Sequence, residues 1–436
     1  LFERGAAHVG LDFLAHPFWD KYVEFEERTS SNSSSDAIFS ILTRIITIPM
    51  HQYARYFEKY RTAAQQKPLE ATVPPQVLQR IQMDMEAEGI SFESGHSQAD
   101  IDRDLRGRVD NYHITSFNTT QTETTKRWIY ESEIKRPYFH VTDLDEAQLV
   151  NWRKYLDFEE AEGDYTRTQF LYERCLVTCA QHEEFWLRYA RWMSAQDEKI
   201  EEVRIIFQRA ACLYVPIALP ALRLQYAFFE ESQGRVDAAK SIHEAILEQL
   251  PSHVETIVSW ANTCRRHDGL DAAADVYKSQ LSNPACEHQA KAALVNEWAN
   301  LVYRATGDTD NARGIFKQNQ QRFQDDRTFW LCWLHFEITQ PATMETEGKH
   351  RKNVKDVVDD IVQKSRLSKD VIAELVSLYM GYLLERGTKD AAKEWMEFDR
   401  ETNGPESIQK LLKVKVEVPV QPAKHGKGVN GRGHRH

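Results

Sequence analysis

Cys175 and Cys179 stand four residues apart, with His182 three further on, a spacing that could bring two thiolates and an imidazole to one metal ion. A structural zinc site needs four ligands, usually as two close pairs, and the six cysteines (175, 179, 212, 264, 286 and 332) contain no CxxC. They read as reduced thiols packed in helices. His182-Glu-Glu and His243-Glu begin like a zinc-protease helix but lack its second His, and His434 and His436 have no ligand spacing. Four acids, Glu26, Glu159, Glu230 and Glu337, each follow an aromatic residue and resemble a repeated catalytic carboxylate. Acid–base chemistry needs two groups converging in one pocket, whereas these recur singly, tens of residues apart. They read as carboxylates that close a helix and bond to Arg, Tyr or backbone of the next one. No phosphate loop, dinucleotide fingerprint or nucleophile motif occurs. No residue is assigned to catalysis, to a cofactor or to a metal.

The acids share a frame. In "NWRKYLDFEE", Trp152, Tyr155 and Phe158 recur every three residues and, with Leu156, cover one apolar arc of a helix. Thr142 and Asp145 resemble a capping box before it, Gly163 a stop after it, and a second amphipathic run follows, "YTRTQFLYERCLVTCA". The unit returns with Trp186, Tyr189 and Trp192, with Tyr226 and Phe229 (Arg223 replacing the Trp), behind Trp260, behind Trp298, and with Trp330, Trp333 and Phe336. Upstream it gives Trp19, Tyr22 and Phe25, with a weaker copy at Tyr53 and Tyr56, and downstream a degenerate copy at Tyr379 and Tyr382. The step is 34 residues from Trp152 to Trp186 and 38 from Trp260 to Trp298. Such periods in paired helices predict an all-α solenoid, in which stacked neighbours bury the arcs that one pair cannot. The rings are therefore packing residues rather than base-stacking platforms.

Composition agrees. The chain has 436 residues, ten Trp, but only 18 Gly and 14 Pro, against an all-β chain full of turns. A net charge of −11 argues against a protein coated with nucleic acid and for one that meets protein partners. No apolar run is long enough for a membrane span, and these residues show no basic–apolar–small pattern of a signal peptide. The cysteine pattern fits a reducing compartment. The opening "LFERGAAHVG" reads as the end of a helix that starts further upstream.

The pattern Trp-x2-Tyr-x2-Phe-Glu, a Gly, then an "AR.IF.RA"-like helix resembles the HAT (half-a-tetratricopeptide) repeat. The segment "KRWIYESEIKRPYFHVTDLDEAQLVNWRKYLDFEEAEG" (126–163) with "ERCLVTCAQHEEFWLRYARWM" is similar to the pre-mRNA-processing factor 39 family. The resemblance implies an α-solenoid of HAT pairs in two blocks. It also implies a nuclear, non-enzymatic scaffold of the U1 small nuclear ribonucleoprotein (U1 snRNP), which recognises 5′ splice sites. The partners implied are U1 proteins and a second HAT chain, as a homodimer or a heterodimer with a sister protein, through the C-terminal repeats. Leu375, Leu378, Tyr379, Tyr382, Leu383, Trp395 and Phe398 keep that end apolar, where a water-facing terminal repeat should be polar. A capping helix from the tail could equally cover them.

The layout expected is an N-terminal HAT block (1–60), a linker with one or two helices (61–125), a C-terminal solenoid (126–402) and an extended or disordered basic tail (403–436). Within the linker a helix over about 98–116 is expected to end at "NTTQTETT", ahead of a separate helix carrying Trp128. The alternatives are a HAT scaffold of another RNA-processing complex, such as 3′-end cleavage, or an RNA-binding face of Arg and Lys on second helices ("VRIIFQR", "NARGIFK", "KHRKNVK"). The acidic balance makes RNA contact indirect or weak.

Overall fold

A helix with one aromatic arc is stable only when a neighbour covers it, and the fold is that rule applied along the chain. The computed structural model describes residues 1–29, 34–90 and 97–402. Among these it contains twenty α-helices, a 3-10 turn (Leu69–Ala71), a π turn (Ala210–Tyr214) and no strand. The tail expected to be extended or disordered lies outside the described residues, as does part of the "TSSNSSSDA" loop. Among the described residues no helix is long and apolar enough to cross a membrane.

The chain divides into two compact units, Leu1–Pro216 and Ile217–His436. The first holds α1 (Phe2–Val9), α2 (His16–Thr29), α3 (Ser34–Ile45), α4 (Tyr53–Ala64), α5 (Pro75–Ala87), α6 (Gln98–Glu131), α7 (Glu146–Glu162), α8 (Tyr165–Thr178), α9 (Glu183–Ser194) and α10 (Ile200–Arg209). The second holds α11 (Ala221–Ser232), α12 (Val236–Gln249), α13 (Val254–Asp268), α14 (Leu270–Ser282), α15 (His288–Thr306), α16 (Thr309–Asn319), α17 (Arg327–Thr339), α18 (Glu347–Lys364), α19 (Lys369–Arg386) and α20 (Ala391–Thr402). From α11 to α20 successive helices pack on one another, α16 meeting α17 through Phe316–Trp333 and Arg313–Glu337, and the first helices α11, α13, α15, α17 and α19 also touch one another in a row. That is the solenoid arrangement.

Local chemistry sets the turns. Gly163 and Gly307 end their helices at φ 78° and 71°, the left-handed region that glycine enters without strain. The next residue, Asp164 or Asp308, accepts backbone N–H bonds as the N-cap of the following helix. A two-residue Gly-Asp sequence thus reverses the chain. At α7 the cap is Asp145, without a side-chain bond, so Thr142 forms no capping box.

The linker departs most from expectation. Residues 98–131 form one helix of 34 residues, uninterrupted at the threonines. The hydroxyls of Thr115, Thr119, Thr122, Thr124 and Thr125 each donate to the carbonyl four residues back, which satisfies them inside the helix. Tertiary contacts hold both halves. Phe117 meets Phe57 at 4.7 Å, and Thr120 Oγ1 donates to Ile46 O at 2.8 Å, so the N-terminal core claims this stretch. Ten residues later Arg127 binds α7, and Tyr130 stacks on Tyr155 at 4.9 Å. The segment expected as a linker is therefore a strut shared by two cores within one unit.

Candidate scaffold surfaces

Eleven of the repeat positions, Trp19, Tyr22, Trp152, Tyr155, Trp186, Tyr189, Tyr226, Trp298, Trp330, Trp333 and Phe336, are buried. Phe158, Trp192, Phe229 and Trp260 are half-buried, and Phe25 is 46% exposed, resting on Phe2 at 5.1 Å. Three opening indoles are held by a carbonyl of the preceding turn: Trp19 Nε1 donates to Gly10 O at 3.0 Å, Trp186 to Ala180 O at 2.8 Å and Trp330 to Gln324 O at 3.3 Å.

The register of two repeats differs from the sequence reading. Ala292, Val295, Trp298, Ala299 and Val302 are buried at the same steps as Leu149, Trp152, Tyr155, Leu156 and Glu159. Trp298 thus fills the position of Tyr155, one turn later than an opening Trp. Trp260, between buried Ile257, Ala261 and Cys264, does the same. Lone Trp residues cannot set this phase. The neighbours that choose the buried face do.

The repeated acids sit in separate helix contacts and converge on no pocket. Glu159 is 1% exposed and takes a two-pronged ion pair from Arg127, at 2.7 and 3.0 Å. Glu337 is 0% exposed and takes the same fork from Arg313 of α16, at 2.6 and 2.8 Å. Burial alone would lower the pKa of either Arg, but the facing carboxylate more than offsets it and the value rises. Glu230 is buried with Arg235 at 3.4 Å, and Glu26 is half-buried. These forks fix how one repeat docks on the next. The partners Arg127 and Arg313 were missed in the sequence, although "KRWIY" and "NARGIF" carry them. A third, Arg174 of α8, binds Glu131 at 2.8 Å and Asp12 at 2.9 Å, joining the α1–α2 turn to the later helices.

Most of the basic residues proposed for an RNA face are engaged, while Lys317 and Lys352 are exposed to solvent. Arg209 pairs with Glu173 at 2.8 Å, Lys349 with Asp310 at 3.1 Å and Lys355 with Glu394 at 2.7 Å, and Arg204 pairs with Glu201. Cys175 in α8 and Cys179, the C-cap of that helix, are both buried, and burial pushes the Cys175 thiol well up. His243 is a core residue bonded to Ala239 O at 2.7 Å and Ser259 Oγ at 2.9 Å. At the C-terminal end Leu375, Tyr379, Tyr382 and Leu383 are buried within their own chain. Trp395 and Phe398 pack on that core, and Tyr379 donates to Glu394 at 2.9 Å, so α20 covers one face of α19. Leu378 (44% exposed), Leu384 (68%) and Met396 (62%) remain open to solvent.

Against this geometry the comparisons are specific. Residues 1–62 match the family described as PRP39 N-terminal HAT repeat, and residues 125–266 the PRP39 C-terminal HAT repeat. The chain is 45% identical over 421 residues to pre-mRNA-processing factor 39 of Schizosaccharomyces pombe, covering 94% of this chain and 68% of that one. The chain belongs to the pre-mRNA-processing factor 39 family. With the Homo sapiens member it shares 28% identity over 364 residues, 80% of this chain and 53% of that protein, so it spans about half of that relative. The crystal structure of CstF-77 superposes with a TM-score of 0.55 at 12% identity, over 98% of this chain and 80% of that one, which shows the shared fold. Family membership makes this a pre-mRNA-processing protein built of HAT repeats.

Proposed function

We propose that the chain is a nuclear, non-enzymatic scaffold of the U1 snRNP, holding U1 proteins during 5′ splice-site recognition and pairing with a second HAT chain through its C-terminal helices. The observation that carries this is the division of labour within the repeat. Rings and acids are consumed inside the stack, in forks such as Arg313–Glu337, while the outer faces of paired helices stay free for partners. The family membership names the process. The exposed apolar side chains at the last first-helix, Leu378 and Leu384, with Met396 of α20, support pairing there. With most of the second-helix cations held in ion pairs, in a chain of net charge −11, RNA is reached through partner proteins.

The test is isolation of tagged full-length chain from nuclear extract, followed by identification of the bound RNA. U1 RNA is the expected product. Recovery of 3′-end cleavage factors without U1 RNA would favour the second reading, a scaffold of that machinery.

A further inference from the structure

One outward position of the repeat changes character between the two units. Two residues beyond the ring at the Tyr155 position, the helix turns about 200° and the side chain faces away from the core. In α7 and α9 that residue is charged, Asp157 and Arg191. In α11, α13, α15 and α17 it follows Tyr226, Trp260, Trp298 and Trp333, and is Phe228, Asn262, Asn300 and His335. These first helices lie in a row, so the four side chains fall in line along one face of the second unit. Between α15 and α17 the row opens into a groove of about 370 Å³, with Asn296 and Asn300 on one wall and Cys332, His335 and Thr339 on the other. No Lys, Arg, Asp or Glu lines it, in a chain that is 28% charged.

We propose that this row is a docking groove for an extended, uncharged polypeptide segment whose backbone the asparagine amides read. Asn300 Nδ2 donates to Asn296 Oδ1 at 3.0 Å and Asn262 Nδ2 to Val258 O at 2.9 Å. An amide carries two N–H donors and an oxygen with two lone pairs, so each keeps capacity for a ligand that both donates and accepts. A polypeptide backbone does both at every residue, and an extended one has no internal partners for those groups. Between α15 and α17 a nucleic acid would bring phosphates to a groove that offers no cation, and a charged peptide would lose hydration there without a counter-charge. Phe228, 42% exposed, gives the row an apolar end where one side chain can anchor. Helix axes in contact lie roughly 8–10 Å apart, so the three steps from α11 to α17 span about 24–30 Å. At roughly 3.3 Å per residue that is a segment of about eight or nine residues. The inference rests on the scaffold reading and adds to it the kind of ligand this face takes.

The probe is a phage-displayed library of random 12-residue peptides, panned on the full chain, with recovered peptides synthesised and titrated by fluorescence anisotropy. The Asn262→Ala/Asn300→Ala variant should bind them roughly tenfold more weakly, through two lost hydrogen-bonding groups. Its melting temperature should be unchanged, because both side chains are partly open to solvent. Backbone N-methylation of the peptides should weaken binding to the parent chain and have little further effect on the variant. A library that yields no binder, peptides bound equally by the variant, or a labelled 12-nucleotide RNA that binds and is lost with the asparagines would each overturn the proposal. The variant's recovery of U1 RNA from nuclear extract reads the scaffold reading separately: retained U1 with lost peptide binding supports both.

Discussion

At the scale of single residues, buried charge is the feature with the largest consequences. Glu337 is wholly buried, so Arg313→Met leaves an uncompensated carboxylate in the core, and a loss of about 3–5 kcal/mol is expected. Replacing both, as Arg313→Met/Glu337→Met, should recover most of that loss, because two apolar side chains can fill the contact without any desolvated charge. Urea midpoints of the parent, single and double variants check this, and a double variant no better than the single would contradict it. A second residue sets a pH dependence. The carboxyl of Glu231 is pushed down to about 2, first by hydrogen bonding from Arg266 (2.6 Å to each oxygen) and also by His267, against the opposing effect of burial. A carboxylate whose folded pKa is depressed adds stability above its unfolded value near 4.5, and that stability is lost as pH falls towards 2. Glu231→Gln should therefore lower the melting temperature at neutral pH, with the gap from the parent closing across that acidic window. A gap independent of pH would contradict the assignment.

At the scale of elements, α6 ties two cores together. It serves the N-terminal core through Phe117 and Thr120 and the following repeat through Arg127 and Tyr130. One alanine inserted between Thr122 and Glu123 turns everything beyond it by about 100° and moves it about 1.5 Å. Both sets of contacts cannot then be kept. The insertion should lower the melting temperature by several degrees and expose residues 98–131 to limited proteolysis, whereas a flexible linker would absorb it unchanged. The periodicity of this segment was hard to read because its buried face is largely polar, with Thr120, Thr124 and Arg127 beside Val109, and because five threonines imitate a break. Its second interaction surface belongs to the tertiary fold. The misplaced phase of Trp260 and Trp298 has a related cause: one ring marks a buried face but not which turn of it.

At the scale of the whole molecule, the proposed pairing is the property to test. With Leu375, Tyr379, Tyr382 and Leu383 buried within the chain, the exposed large apolar residues at that end, among those described, are Leu378, Leu384 and Met396. Leu378→Glu/Leu384→Glu leaves the core untouched, and light scattering is expected to report a dimer for the parent chain and a monomer for the variant. A variant as dimeric as the parent would place the interface elsewhere. The asparagine row lies on other helices, so this variant should keep its peptide binding.

The solenoid was legible because its cause is local. Three or four rings on one arc of a helix, repeated at 34 to 38 residues and punctuated by glycine, have few ways of leaving water except in series. The register of each repeat, the Arg partners of Glu159 and Glu337, the strut formed by α6 and the neutral row on the second unit were decided only by the tertiary structure. Each depends on which face a neighbouring helix covers, and that choice is made by contacts between residues tens of positions apart.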